Sequence, residues 1–228
     1  MIHTASLDWP RGFRNAVGSA AIKKAGRDDL ALLSMPGGAT AAALFTRNIF
    51  AAAPIEVSRR HLRDSRGHAS ALILNSGCAN AATGPRGLAN AQEMVDAVSL
   101  TLGCAGESVL VNSTGVIGVQ LPMDRIVPEI PHLVARLAHA SDGGSLEPFA
   151  RAIMTTDTTP KMSSRTIVCH GRTIRVSGVA KGAGMIRPDM ATMISVIATD
   201  AAVDAPTLDR ILRHAADASF HRISIDGD

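Results

Sequence analysis

The run ASALILN (69–75) contains no charged residue and stops at the turn-forming NSG. A strand of that composition offers no face to water. It predicts a strand covered on both sides, as in a layered α/β protein or the core of a sandwich. The next segment supplies one cover: Leu88, Ala91, Val95, Val98 and Leu102 recur at spacings of three and four, an apolar stripe on a helix over 87–102. ESVLVN (107–112) then reads as a strand, and Ile126, Ile130, Leu133, Val134 and Leu137 mark a second amphipathic helix, with Pro128 and Pro131 restricting its first turn. Strand and helix alternate through the chain, which predicts a layered α/β fold without an internal repeat or a linker.

Further elements follow from local patterns. DLALLSM (29–35) and TAAALFT (40–46) read as strands joined by the PGG turn at 36–38. A helix is expected over 145–154 with Ser145 as its cap. RTIVC-HG-RTIRV (165–176) reads as a hairpin, MISVIAT (193–199) as a buried strand and HRISID (221–226) as a last strand. Leu208, Ile211, Leu212 and Ala215 share a helical face behind the possible cap Asp204.

Composition narrows the function classes. Hydrophobic residues make up 46% of the 228 and charged residues 19%, the balance of a folded protein. Aromatics are 3%, so stacking platforms for single-stranded nucleic acid are missing, and the net charge of +3 is scattered apart from Arg59, Arg60 and Arg63, a solvated face. Neither nucleic acid nor membrane is an expected partner. No run of about 20 apolar residues and no secretory leader is visible, and three distant cysteines, Cys78, Cys104 and Cys169, suit reduced thiols. A cytoplasmic location follows as the expectation. P-loop, dinucleotide, zinc-hydrolase and serine-hydrolase signatures are absent. The loop NSGCANAATG (75–84) reads as a tight strand-to-helix turn.

Three small-residue loops remain: NSTGVIG (112–118), MTTDT (154–158) and AKGAGM (180–185). Such turns let a substrate approach the backbone and can present N–H groups to an oxyanion. Taken one at a time, each is only a turn, and Thr192 is only a strand residue.

Together, in order, RGF (11–13), STGVIG (113–118), LPMD (121–124), IMTTDT (153–158), AKGAGM (180–185), MATM (190–193), TDA (199–201) and SIDGD (224–228) resemble the glutamate N-acetyltransferase / ornithine acetyltransferase family of arginine biosynthesis. The likeness implies a layered α/β/β/α sandwich that cleaves itself between Ala191 and Thr192, giving a piece 1–191 and a piece beginning at Thr192. The chemistry is sound. A threonine hydroxyl is a weak nucleophile, whereas a freed α-amine, with a reference pKa of about 7.7–8.0, can act as its base. The small Ala191 suits a crowded junction, with Pro188, Gly182 and Gly184 setting its path.

The resemblance further implies Thr114 and Gly115 as the oxyanion hole, and Thr155, then Thr156, with Lys181 and Thr192 as substrate contacts. It implies acetyl transfer from N-acetylornithine to glutamate through acetyl-Thr192, with acetyl-CoA a donor in some relatives. It also implies a hetero-oligomer of cleaved pieces. No metal or organic cofactor is required, since two amides of similar energy are exchanged. An amidase or aminopeptidase with an N-terminal nucleophile, or a non-enzymatic remnant, are the competing readings. Family members continue past SIDGD, so 192–228 is expected to be the start of a truncated second piece, leaving the second half of the fold incomplete and the 228-residue chain weakly active or inactive.

Overall fold

The computed structural model describes residues 2–186 and 193–226. Two four-stranded sheets make up its centre. The first holds β2 (Arg14–Gly18), β3 (Leu30–Thr40), β4 (His68–Cys78) and β5 (Val109–Val116), in that order. The second holds β1 (Ile2–Thr4), β6 (Lys161–Cys169), β7 (Arg172–Lys181) and β8 (Ile194–Thr199). Pairing is antiparallel except between β4 and β5, which run parallel because helix α2 (Gly84–Leu102) carries the chain back between them.

The apolar strands are explained by a division of side chains with period two. Leu30, Leu32, Ala71, Ile73, Val109 and Val111 face one way, into a core with α1 (Ala53–Asp64), α2 and α3 (Met123–His139). Ala31, Leu33, Leu72, Leu74 and Leu110 face the other way, into a core shared with the second sheet. Both faces of β3 and β4 are therefore dry, as the charge-free run required. Trp9 and Phe149 fill the inter-sheet layer, ring centroids 5.5 Å apart and edge to face. The short helix α4 (Glu147–Ala152) touches strands of both sheets.

Helix α1 also closes an edge. Among the described residues strand β5 has no strand on its outer side, and α1 lies along it. The Ser58 hydroxyl donates to Val111 O at 2.6 Å and accepts from Val111 N–H at 2.9 Å, while His61 Nδ1–H donates to Val109 O at 2.8 Å. Two side chains thus do for the edge what a further strand would have done.

Several sequence expectations change. PGG does not separate two strands: β3 runs through it, with Ser34 opposite Ala71 and Ala39 opposite Ala69, so the proline is extruded in a bulge. Residues 41–52 have no regular structure, so TAAALFT contributes only its first residue, Thr40, to a strand. Helix α3 begins upstream of both prolines and runs through them. Burial of Ile126, Ile130, Leu133 and Leu137, at about 1.5–3 kcal/mol each, outweighs the roughly 3 kcal/mol that an interior proline costs. Ser145 is not the cap of α4; Leu146 is, though Ser145 Oγ accepts from Glu147 N–H at 3.2 Å.

MISVIAT forms β8, an edge strand and not a fully buried one: Ala198 is buried, but Ile197 on the opposite face is 48% exposed. HRISID is a short 3-10 turn (Phe220–Arg222) followed by a bridge from Ile225 to Ile186, and makes no strand. The hairpin β6–β7 turns at His170 and Gly171, both at positive φ, as read. Asp204 caps α5 (Ala205–Ala218) by accepting from Thr207 N–H at 2.9 Å, although Ile211 on its apolar face is 53% exposed. No helix among the described residues is long and apolar enough to cross a membrane.

Candidate active site

The three small-residue loops meet where the ends of the two sheets come together. On β7, alternation buries Ser177, Val179 and Lys181, so Lys181, the last residue of the strand, projects between the sheets and is 7% exposed. Its ammonium donates to Thr155 Oγ1 at 2.8 Å and to Thr114 Oγ1 at 3.1 Å. Thr114 lies at the end of β5 and Thr155 in the loop after α4, so one lysine joins three segments distant in sequence. A threonine hydroxyl has two lone pairs and one proton. Accepting from Lys181 therefore leaves each hydroxyl able to donate to something else.

Gly115 follows Thr114 with φ +137°, a conformation that resists side chains. A Cβ there would stand 2.3 Å from the carbonyl carbon of Gly77, its register partner on β4. Glycine is required because two backbones touch. The corner is pinned from behind by buried Asn75, whose Oδ1 accepts from Ser113 Oγ at 2.6 Å and whose Nδ2 donates to Cys78 O at 2.9 Å. NSGC of NSGCANAATG is thus the end of β4, only 79–83 turn into α2, and the stretch backs the Thr114–Gly115 corner.

The loop carrying Thr155 is fastened by Arg27, whose Nη2 donates to Met154 O at 2.8 Å, and by Asp157. Asp157 Oδ1 accepts from Gly182 N–H at 2.8 Å and from Lys161 Nζ at 2.6 Å; Oδ2 accepts from Thr155 N–H at 3.4 Å. Burial raises the Asp157 pKa, but the hydrogen bonds from Lys161, Gly182 and Thr155, with the Lys161 charge, outweigh it and hold the carboxyl below its ordinary value. Burial pulls the Lys181 ammonium down from its ordinary value; the Asp157 charge opposes that and the Lys161 charge adds to it. A cation short of solvent, facing two hydroxyls, is equipped to receive a carboxylate.

Of the residues singled out from sequence, Thr114, Thr155 and Lys181 are brought together and Gly115 adjoins them. Thr156 is exposed and, among the described residues, makes no hydrogen bond to the cluster. Ala191, Thr192 and Pro188 lie outside the described residues. Asp157, Lys161 and Asn75 were missed as site residues. Asp157 stood inside MTTDT, and Lys161 four residues on was its only sequence signal. A cleft of about 1100 Å³ shares no residue with this cluster. Its lining includes Arg59, Arg63, Arg213 and Asp209; Arg213 pairs with Asp209 inside it, Arg63 with Asp64, and Arg59 donates to Thr46 O.

Comparison with known proteins agrees with the motif order. Residues 14–228 match the ArgJ family. The arginine biosynthesis bifunctional protein ArgJ of Geobacter sulfurreducens is 49% identical over 218 residues, 96% of this chain and 54% of that protein. The chain thus spans about half the length of the curated relatives it matches. Among solved structures, the arginine biosynthesis bifunctional protein argJ of Bacillus halodurans aligns with TM-score 0.75 at 34% identity, over 85% of this chain and 98% of that one. The ornithine acetyltransferase of Mycobacterium tuberculosis, complexed with ornithine, aligns with TM-score 0.72 at 37% identity, over 85% of this chain and 100% of that one.

Proposed function

The chain belongs to the ArgJ family, and from that premise we propose that it is the nucleophile-bearing part of an acetyltransferase. It moves the acetyl group of N-acetylornithine to glutamate through an ester on Thr192, after the Ala191–Thr192 bond is cut. The observation that carries this reading is the Lys181–Thr155–Thr114 cluster beside the entry to β8. Ile194 is the register partner of Lys181, and Thr192 precedes Ile194 by two residues, a reach of at most about 7 Å.

In the first half-reaction Thr192 Oγ bonds to the acetyl carbon while its own α-amine takes the hydroxyl proton. The Thr114 hydroxyl and the Gly115 N–H receive the oxyanion; one such donor is worth about 2.7–4 kcal/mol of barrier. The carbon–nitrogen bond breaks, the departing ornithine amine takes the proton from the α-amine, and acetyl stays on Thr192. The neutral amine of glutamate then attacks this ester. Its proton returns through the α-amine to Thr192 Oγ, and N-acetylglutamate leaves. Lys181 holds the carboxylate of each amino acid, with Thr155 beside it and Thr156 as the outer contact.

Coverage supports a cut chain. The two solved structures are matched almost whole by 85% of this chain, close to the share of about 84% that residues 1–191 represent. A piece 1–191 and a piece from Thr192, assembled together and acting in the cytoplasm, complete the reading; acetyl-CoA as a second donor rests on family likeness alone.

The test is intact mass of the purified chain beside Thr192→Ala. We expect two fragments separated between residues 191 and 192 for the wild type and one uncut chain for the variant. A variant that still splits at this bond, or a wild type that transfers acetyl while whole, overturns the reading. Acetate release from N-acetylornithine without glutamate would show hydrolysis in place of transfer.

A further inference from the structure

We propose that Asp157 is the positioning residue of this site: its carboxylate clamps the backbone on both sides of the Lys181–Thr155 contact and supplies the negative charge that the Lys181 ammonium answers to. The role of the contact rests on the function proposed above; the clamp does not.

The geometry is specific. Gly182, whose N–H bonds Asp157 Oδ1 at 2.8 Å, directly follows Lys181, so this bond fixes the strand end from which Lys181 projects. The weaker contact from Thr155 N–H to Oδ2, at 3.4 Å, holds the residue whose hydroxyl receives Lys181. One rigid carboxylate therefore sets donor and acceptor relative to each other. Its side chain is 1% exposed, so it has been taken out of water for this duty. A carboxylate at that depth is costly unless its oxygens are occupied, and all three donors come from the site or its border.

Among the described residues, the charged groups acting on Lys181 are Asp157, from the loop before β6, and Lys161, at the start of β6; the same loop also presents the Thr155 hydroxyl, and β5 presents the Thr114 hydroxyl. Lys161 binds the same Oδ1 at 2.6 Å and is 45% exposed. It offsets part of the Asp157 charge, so the two residues act on Lys181 in opposite senses. A merely structural clamp would not show this opposition.

The experiment uses the 228-residue chain and two variants. Asp157→Asn keeps an oxygen for Gly182 N–H and removes the charge. Lys161→Met removes the opposing charge at a half-exposed position and leaves Asp157 Oδ1 its bond from Gly182 N–H. Each protein is trace-labelled with acetic anhydride across the neutral-to-alkaline range, and labelling of Lys181 is read by peptide mass spectrometry. The midpoint for Lys181 is expected to fall by about one pH unit or more in Asp157→Asn, and to rise in Lys161→Met. Asp157→Glu restores the midpoint toward the wild type. Midpoints that stay put, or move in the same direction in Asp157→Asn and Lys161→Met, overturn the clamp. This readout needs no turnover: moved midpoints in a chain that stays whole at 191/192 leave the clamp standing and sink the acetyltransferase reading.

Discussion

Replacing Lys181 with methionine separates what the residue does for stability from what it does for chemistry. The ammonium makes two charge-assisted hydrogen bonds, to Thr155 and Thr114, at about 1.5–3 kcal/mol each. Against them stands the cost of keeping a 7% exposed cation out of water, several kcal/mol after relaxation. Methionine fills similar space, is content between the sheets, and leaves two hydroxyls that can turn to other acceptors. The terms nearly cancel, so Lys181→Met is expected to change unfolding free energy by less than about 2 kcal/mol while abolishing whatever transfer the chain has under the function proposed above.

The sign with pH is fixed too. Burial depresses the native-state pKa of Lys181 below 10.5, so above that depressed value the unfolded chain binds the extra proton. Stability carried by this group therefore rises with pH between the depressed value and 10.5, and the wild type gains on the variant across that window. Urea unfolding of both proteins at several pH values measures each quantity. A loss above about 3 kcal/mol at neutral pH, or a difference that tilts the other way as pH rises, would show that Lys181 is a structural cation and that the reasoning is wrong.

Other outcomes follow from the same geometry. Gly115→Ala puts a Cβ 2.3 Å from Gly77 and occupies φ +137°, so it should cost more than the 1–3 kcal/mol, roughly, of strained backbone alone and abolish transfer; wild-type melting would refute the close approach. Ser58→Ala strips the β5 edge of a donor and an acceptor and should cost about 1–3 kcal/mol in urea titration without touching the chemistry. Asn75→Ala frees the corner behind Ser113; it should lower acetyl transfer more than it lowers stability, and equal losses would make Asn75 structural only.

Where a segment's own pattern decided its form, the sequence was readable: the charge-free run at β4, the three-four stripe of α2 and the HG turn of the second sheet's hairpin need no distant partner to declare themselves. Where neighbours decided, it was not. TAAALFT has the composition of a strand but joins neither sheet beyond Thr40, and MISVIAT reads as buried although only one of its faces is packed. The site divides in the same way. Thr114, Gly115, Thr155 and Lys181 sit in stretches of unusual composition. Asp157 became visible only when the fold brought Gly182 and Lys161 to its oxygens, since nothing in a lone aspartate among threonines says which backbone it will hold.

The pairing of β7 with β8 has a consequence for a severed chain. Six register pairs, from Val176–Thr199 to Lys181–Ile194, lace the two strands on the far side of residues 187–192. A break within that stretch would relieve a connection without releasing anything. Were the chain cut there, the ladder between 176–181 and 194–199 would still hold the two pieces together.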